Sequence, residues 1–316
     1  MRKHANTGTR KLLVACTFGF SFHSQRLIPL TSLELHVHRN HTNRSESTNQ
    51  EASRWLKTAD PCSIGIFTTN DQFRGKGQRG AKWEQQAGLD LAWSMGIRWS
   101  EETIARASQH ENTWFALNKS ITLATWRTLH ALLECPTEDV CIKWPNDLFV
   151  SDGQYWRKCG GILIENTWHG TGISGTVVGI GINALSSNLP NVRTSLRQSS
   201  DQSNPDDFHP LAVAKLLEEN IRKAITNWES ALLKSGIPHQ TNVLKNAGLE
   251  FDQRLLARGK WKDYRWRGRD RTGMIMEVDA QGRCAMNWRD GQESEGIVFI
   301  ENNKELEWSW INRQFD

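Results

Sequence analysis

The sequence predicts an α+β protein: a mixed β-sheet flanked by helices, then a small β-barrel. Three observations predict it. Apolar, β-branched runs at residues 64–68, 140–144, 161–165 and 175–184 read as strands, and two segments of helical period lie before and after them. Past Gly248 the chain changes to short strands punctuated by Asp279-Ala-Gln-Gly282 and Arg289-Asp-Gly291, the spacing of a small barrel. At 316 residues, 38% hydrophobic and 23% charged, there is enough apolar matter for a real core and room for about two domains.

In order, residues 33–37 alternate enough for a first strand, and the polar residues 38–46 lead to a helix over 51–56 with Ser47 or Thr48 as N-cap. The strand at 64–68 feeds a glycine-rich loop, and residues 89–95 alternate like another strand. An amphipathic helix is expected over 119–134, capped near Asn118 or Ser120. The strand 140–144 must stop at Pro145, so Asn146-Asp147 forms the turn of a hairpin that returns over 148–150. Two apolar strands follow, then a Ser/Asn/Asp/Pro-rich loop over 186–207. Next comes a long helix from Pro210, with Asp206 or Asp207 near its start and Leu211, Ala214, Leu217, Ile221, Ile225 and Trp228 on one side. The expected domains are a disordered extension at 1–32, a main domain at 33–235, a linker at 236–247 and the small barrel at 248–316.

Composition excludes some classes. The six cysteines form no CxxC and no Cys/His group has zinc spacing, which argues for reduced thiols in a cytoplasmic protein. A net charge of +4 does not by itself call for nucleic acid, and no helix-turn-helix pattern is legible, so DNA binding is not expected. The fifteen tryptophans are read mainly as packing. The apolar run at 12–22 behind a basic start is shaped like a targeting segment but is too short to span a bilayer, and no membrane association is expected. Eight basic residues between Arg254 and Arg271 stand against Asp263 and Asp270: a solvated strand face, or a surface for an acidic partner.

The stretch Gln72-Phe-Arg-Gly-Lys-Gly-Gln-Arg-Gly-Ala-Lys-Trp83 carries the chemistry signal. Gly75, Gly77 and Gly80 spell GxGxxG, interleaved with Lys76, Gln78 and Arg79, a pattern suited to close backbone approach to an anion. A dinucleotide fold would need a helix next, but residues 81–90 lack a helical stripe; a Walker loop would need Gly-Lys-Ser/Thr. A glycine-rich turn without a ligand stays open on this segment alone. Lys143-Trp-Pro-Asn-Asp147 places a lysine at the end of a buried strand, costly unless an anion or polar ligand meets it, although an ordinary turn with an exposed lysine also fits. Lys158-Cys-Gly-Gly161 and Gly179-Ile-Gly-Ile-Asn183 add two more places of close backbone approach, or of plain strand–helix packing.

Taken together and in this order, Ser47-Thr-Asn49, the glycine loop with Trp83, Lys143-Trp-Pro-Asn-Asp-Leu148, Lys158-Cys-Gly-Gly-Ile-Leu163 and Val178-Gly-Ile-Gly-Ile-Asn183 resemble the biotin protein ligases over residues 33–235. The last 70 or so residues are more loosely similar to that family's SH3-like C-terminal domain. The resemblance implies a class II synthetase-like fold, the substrates biotin and ATP with Mg²⁺, a biotinyl-5′-AMP intermediate, and a biotin carboxyl carrier domain of a carboxylase as acceptor. It implies a monomer or weak homodimer of the monofunctional kind. Under it Ser47, Thr48, Asn49 and Gln72 hold biotin, with Lys76, Gly77, Gln78, Lys143 and Gly161 along it. Gly75, Gly80, Trp83, Asn146, Lys158 and Asn183 serve ATP, Lys143, Lys76 and Arg79 stabilise charge in catalysis, and Asp147 helps Mg²⁺. The loop is expected to act as a lid that orders over bound ligand. Many members of the family have arginines where this chain has Lys76, Gln78 and Ala81, which shifts the burden to Lys76, Arg79, Lys143 and backbone donors. The alternatives are a lipoate or octanoate ligase or transferase of the same fold, whose Arg-Arg-x-Ser-Gly-Gly-Gly type segment is absent here, or a non-catalytic binding relic.

Overall fold

Which side of each strand is bulky and which is small decides the layout of this fold. The computed structural model describes residues 37–316 apart from 110–111, 170–171, 201–204, 236–241, 291–292, 313 and 315–316. The expected extension at 1–32 and most of the expected strand at 33–37 lie outside the described residues. The first described strand is β1, Val37–Ser45; the polar residues expected to be a lead-in are this strand. Its alternating exposure explains the misreading: β1 is an edge strand, paired on one side only, so a polar sequence suffices.

Helix α1 (Thr48–Trp55) follows, then β2 (Ser63–Gln72), β3 (Leu91–Arg98), a short helix α2 (Glu101–Ala107) not anticipated from sequence, and α3 (Thr113–Leu133). The latter begins six residues before its expected start because residues 113–118 pack Thr113 and Leu117 into the core. The hairpin β4 (Val140–Lys143) and β5 (Asp147–Ser151) turns at a cis Trp144–Pro145 bond. It leads to β6 (Trp156–His169) and β7 (Gly172–Ile182), and then to α4 (Pro210–Ser235), which starts where the sequence placed it. These strands form one mixed seven-stranded sheet in the order β1-β2-β3-β7-β6-β5-β4, with β1 parallel to β2 and every other pair antiparallel.

Alternation along the central strands sends bulk to one face and small residues to the other. Ile64 and Ile66 of β2, Trp93, Met95 and Ile97 of β3, and Val178, Ile180 and Ile182 of β7 join one large core with α3 and α4. A tryptophan triad, Trp99, Trp114 and Trp228, with ring centroids 5.3–5.7 Å apart, sits in that layer. On the opposite face Ala92 and Ser94 of β3, Gly179 and Gly181 of β7, and Gly161 of β6 leave a hollow, which α1 and the loop after β2 cover. The sheet thus carries the large core on one side and, on the other, the site beside a small cluster of Ala52, Leu56, Phe67 and Val177 under α1.

The chain then forms α5 (Asn242–Gln253), so the part of the expected linker from residue 242 onward is helical and packs on α3; residues 236–241 lie outside the described ones. A second sheet follows: β8 (Trp261–Trp266), β9 (Arg269–Val278), β10 (Cys284–Asp290), β11 (Glu293–Ile300) and β12 (Leu306–Glu307), with α6 (Ser309–Asn312) after it. It is antiparallel, in the order β11-β10-β9-β8-β12, and buries Tyr264, Ile275, Met286 and Trp288, which join the large sheet's core in one cluster. It is welded to the large sheet. Ile142 N donates to Arg254 O (2.7 Å) and Leu256 N to Ile142 O (2.9 Å), which covers the free edge of β4. Trp144 Nε1 donates to Gly282 O (3.0 Å), and Lys119 Nζ meets both Val278 O (2.5 Å) and Asp252 Oδ1 (3.6 Å).

Candidate active site

The hollow on the small-residue face is a cavity of about 210 Å³. At one end stands the start of α1. Ser47 holds extended backbone (φ −165°) and serves as N-cap, but its side chain makes no cap bond; Gln72 Oε1, from the end of β2, accepts from Thr48 N instead (2.9 Å). The Thr48 hydroxyl lies 2.7 Å from Ser94 Oγ, Ser94 donates to Asn49 Oδ1 (2.6 Å), and Asn49 Nδ2 donates to Glu165 Oε2 (2.8 Å). Ser47, Thr48 and Asn49 are 2%, 3% and 7% exposed, so this end is a buried chain of hydrogen bonds with fixed directions. Glycine at 179 is required by it: a Cβ there would fall 1.9 Å from Asn49 Oδ1.

The roof is the loop between β2 and β3, folded back on itself. Trp83 N donates to Gly75 O (3.0 Å) and Gly77 N to Ala81 O (2.6 Å), and Gln78–Gly80 form a 3₁₀ turn at the tip. Arg79 (φ 54°) and Gly80 (φ 79°) take left-handed backbone there. Lys76, Gly77 and Gln78 line the cavity, whereas Gly75, Arg79 and Gly80 do not. The Trp83 ring lies flat on the floor, where a Cβ on Gly181 would come within 2.2 Å of it, and its buried Nε1 has no partner among the described residues.

The far end is the β4–β5 hairpin. Lys143 and Asp147 are register partners, and Asp147 Oδ1 takes a 2.6 Å ion pair from Lys158 Nζ, whose ammonium also sits 5.5 Å from the Trp83 ring centroid. Asn146 donates its amide to Ile162 O and, like Asp147 and Lys158, lines the cavity. The Lys143 ammonium is held just outside the lining, 5.1 Å from the Trp308 ring centroid and 5.8 Å from that of Phe149. Burial pushes its pKa below the ordinary lysine value; Asp147 works against that shift and Lys158 with it.

The structure therefore gathers Ser47, Thr48, Asn49, Gln72, Lys76, Gly77, Gln78, Trp83, Asn146, Asp147, Lys158 and Gly161 around one cavity. Asn183 stands apart. Its side chain is 2% exposed and donates to Thr194 O (2.9 Å) and Lys158 O (3.4 Å), so it fixes the strand that carries Lys158. Asp147 is the sole carboxylate of the lining, and among the described residues no group of three or more His, Cys, Asp or Glu converges. Sequence reading missed Ser94 and Glu165, although strict alternation with Ala92 and with Gly161 and Leu163 puts both on the site face. It also missed Asn303, which reaches the lining from the C-terminal sheet and has no local signal.

Residues 42–183 match the family described as the Biotin/lipoate A/B protein ligase family. This segment is a domain of that family. The match spans every lining residue of the cavity except Asn303. The ligase-family domain is similar to a biotin--[acetyl-CoA-carboxylase] ligase of Paracoccus denitrificans, 33% identical over 141 residues that make up 44% of this chain and 52% of that protein. It is also similar to the bifunctional ligase/repressor BirA of Escherichia coli, 32% identical over 141 residues, 44% of this chain and 38% of that one. The chain thus spans about half the length, or less, of these curated relatives. In fold it follows the biotin protein ligase from Aquifex aeolicus in complex with biotin and ATP (TM-score 0.58, 20% identity, 85% of this chain and 97% of that one). The Leishmania major biotin protein ligase in complex with biotinyl-5-AMP gives a TM-score of 0.52 at 18% identity, over 85% of this chain and 99% of that one. Among the described residues no helix is long and apolar enough to cross a membrane.

Proposed function

We propose that the chain is a biotin protein ligase: it activates biotin with MgATP to biotinyl-5′-AMP and transfers the acyl group to a lysine of a biotin carboxyl carrier domain. The reading is carried by one observation, that the ligase-family domain and the cavity coincide, and the relatives matched over that stretch are named as biotin ligases or as BirA. The cavity has one end of directional hydrogen bonds and one end with more cations than carboxylates, which suits a molecule with a polar cyclic head and a carboxylate tail.

In this reading the head group exchanges hydrogen bonds with the Ser47–Asn49 end, where Gln72, Ser94 and Glu165 hold the donors and acceptors in place. The carboxylate points to Lys158, Asp147 and Lys143. A carboxylate oxygen attacks the α-phosphorus, the P–O bond to pyrophosphate breaks, and the growing negative charge meets these ammonium groups together with Lys76 and loop N–H donors. The carrier amine then attacks the acyl carbon and AMP leaves with the bonding pair. No protein nucleophile is needed, since positioning and electrostatics suffice. Mg²⁺ would travel with the triphosphate, which supplies most of its oxygen ligands, and Asp147 is the one lining carboxylate placed to help. Asn146 and Trp83 face the nucleotide, Gly161 leaves the tail room, and Asn183 acts through Lys158.

A cavity of about 210 Å³ is small beside the roughly 300–1,000 Å³ of ligand sites in general. In this reading the 75–83 loop, which roofs the cavity, moves aside to admit the nucleotide and closes over the acyl-adenylate. The deciding assay combines purified chain, ATP, labelled biotin and a carrier domain. Labelled biotinyl-AMP and carrier are expected, and failure to make either sinks the reading. The family's description also covers lipoate, so lipoate and octanoate run in parallel as competitors; faster activation of either replaces biotin as the substrate.

A further inference from the structure

The C-terminal sheet sends a tongue, residues 302–308, to the cationic end of the site. Asn302 Oδ1 accepts from Lys304 N (3.0 Å), which sets a 3₁₀ turn over Asn303–Glu305. Strand β12 then pairs with β8 (Leu306↔Trp266, Glu307↔Arg265), and this delivers Trp308. The tongue is part of the site by two independent observations. Asn303 lines the cavity and its buried Oδ1 has no partner among the described residues; Trp308, 5% exposed, lies under the Lys143 ammonium.

Trp308 cannot easily turn away. Tyr264 of β8 meets its ring edge-on at 5.4 Å and Trp310 of α6 lies at 6.2 Å. Lys143 is equally constrained, being the last residue of β4 before a proline turn. Asp147, its register partner and the nearest carboxylate, is already paired with Lys158 at 2.6 Å. The local set is thus two lysines against one carboxylate, and among the described residues Lys143 makes no ion pair of its own. Of the aromatic rings, a tryptophan face attracts an ammonium most strongly, and more so where water is excluded.

We propose that Trp308 is a positioning residue for Lys143: its ring, supplied by the C-terminal sheet, holds the lysine ammonium charged beside Asp147 at the edge of the adenylation site. The inference rests on the proposed ligase reaction for its kinetic consequence, but not for its physical content. An ammonium braced on a ring and lacking a counter-ion is ready to pair with a carboxylate or phosphate arriving next to Lys158. The lowered pKa of Lys143 fits, since burial disfavours the charge that the ring must support.

The test uses the full chain and three forms: unaltered, Trp308→Phe and Trp308→Leu. Lysine side-chain NMR, with Lys143→Arg to assign the Lys143 signal, follows its titration. The protonated form loses support in the order Trp, Phe, Leu, so the Lys143 pKa should fall in that order. Biotinyl-AMP formation should drop about tenfold in kcat for Trp308→Leu and two- to threefold for Trp308→Phe, with the alkaline limb of the rate profile moving to lower pH in step. A Lys143 pKa that does not move in a folded variant, or Phe and Leu forms equally impaired with an unshifted limb, overturns the proposal. If Trp308→Leu does not fold, the Trp308→Phe titration decides alone. Should the unaltered chain form no adenylate from biotin or lipoate, the ligase reading fails while the titration still decides the contact.

Discussion

The two ends of the cavity hold polar groups by opposite means. At the α1 end, Thr48, Asn49, Gln72, Ser94 and Glu165 satisfy one another, and a ligand must match directions already set. At the hairpin end, two lysines share one carboxylate, and Lys143 is braced by aromatic rings rather than by an anion. The first end selects; the second waits for charge. Under the proposed ligase reading the contrast separates specificity from catalysis: hydrogen-bond geometry serves the first and an electrostatic deficit the second.

The sharpest way to break the comparison is Lys143→Ala. Adenylate formation should fall by about 10²–10³-fold with a smaller loss of apparent affinity for biotin, because the contact with the carboxylate strengthens as charge grows in the transition state. Pyrophosphate exchange measures the first and substrate titration the second; an unimpaired rate would remove the charge-stabilising role. Asn49→Ala attacks the other end. It frees a hydrogen-bond partner of Glu165 and of Ser94 at once, so the KM for biotin should rise about tenfold or more while kcat changes less. A change confined to kcat would show that the two ends do not divide the work.

A third expectation concerns stability. The pKa of Lys143 is lowered on folding, so its charged form is disfavoured in the native state. That cost is present at neutral pH and is relieved as pH rises through the lowered pKa toward the unfolded value of about 10.4. Lys143→Met should therefore abolish adenylation yet raise Tm by a few degrees at pH 7, and the gain should shrink in alkaline buffer. Calorimetry at two pH values reads this; a lower Tm for the methionine variant contradicts it. The smallest effect is on the roof. If the 75–83 loop lifts for the nucleotide and closes over the adenylate, trypsin should cut at Lys76, Arg79 or Lys82 several-fold more slowly with biotin and ATP than without. Equal rates in both conditions would argue against a lid.

Much of this was legible before any coordinates. The strands at 64–68, 140–144, 161–165 and 175–184, the long helix from Pro210 and the hairpin at Pro145 all appear in the structure, though Asp147, expected in the turn, opens β5 opposite Lys143; their signals are local: β-branched runs, a proline stop, a 3.6-residue stripe. Edge strand β1 was read as a lead-in since half-solvated strands carry no apolar run, and α2 was missed because seven residues are too few for a stripe. Twelve of the residues singled out from sequence meet at one cavity, helped by glycines whose reason is now specific: Gly179 for Asn49 and Gly181 for Trp83.

What the sequence determined by itself was most of the strands, the long helix from Pro210 and the inventory of glycines, donors and cations that meet at the site. These follow from side-chain period and turn chemistry within a few residues. What only the tertiary structure decided was how those groups are partnered. Asn183 turned out to serve backbone carbonyls, Asp147 to pair with Lys158, and Lys143 to rest on a tryptophan 165 positions further along the chain. Such partnerships depend on which surfaces the two sheets bring together, and a lysine carries no mark of the ring that will hold it.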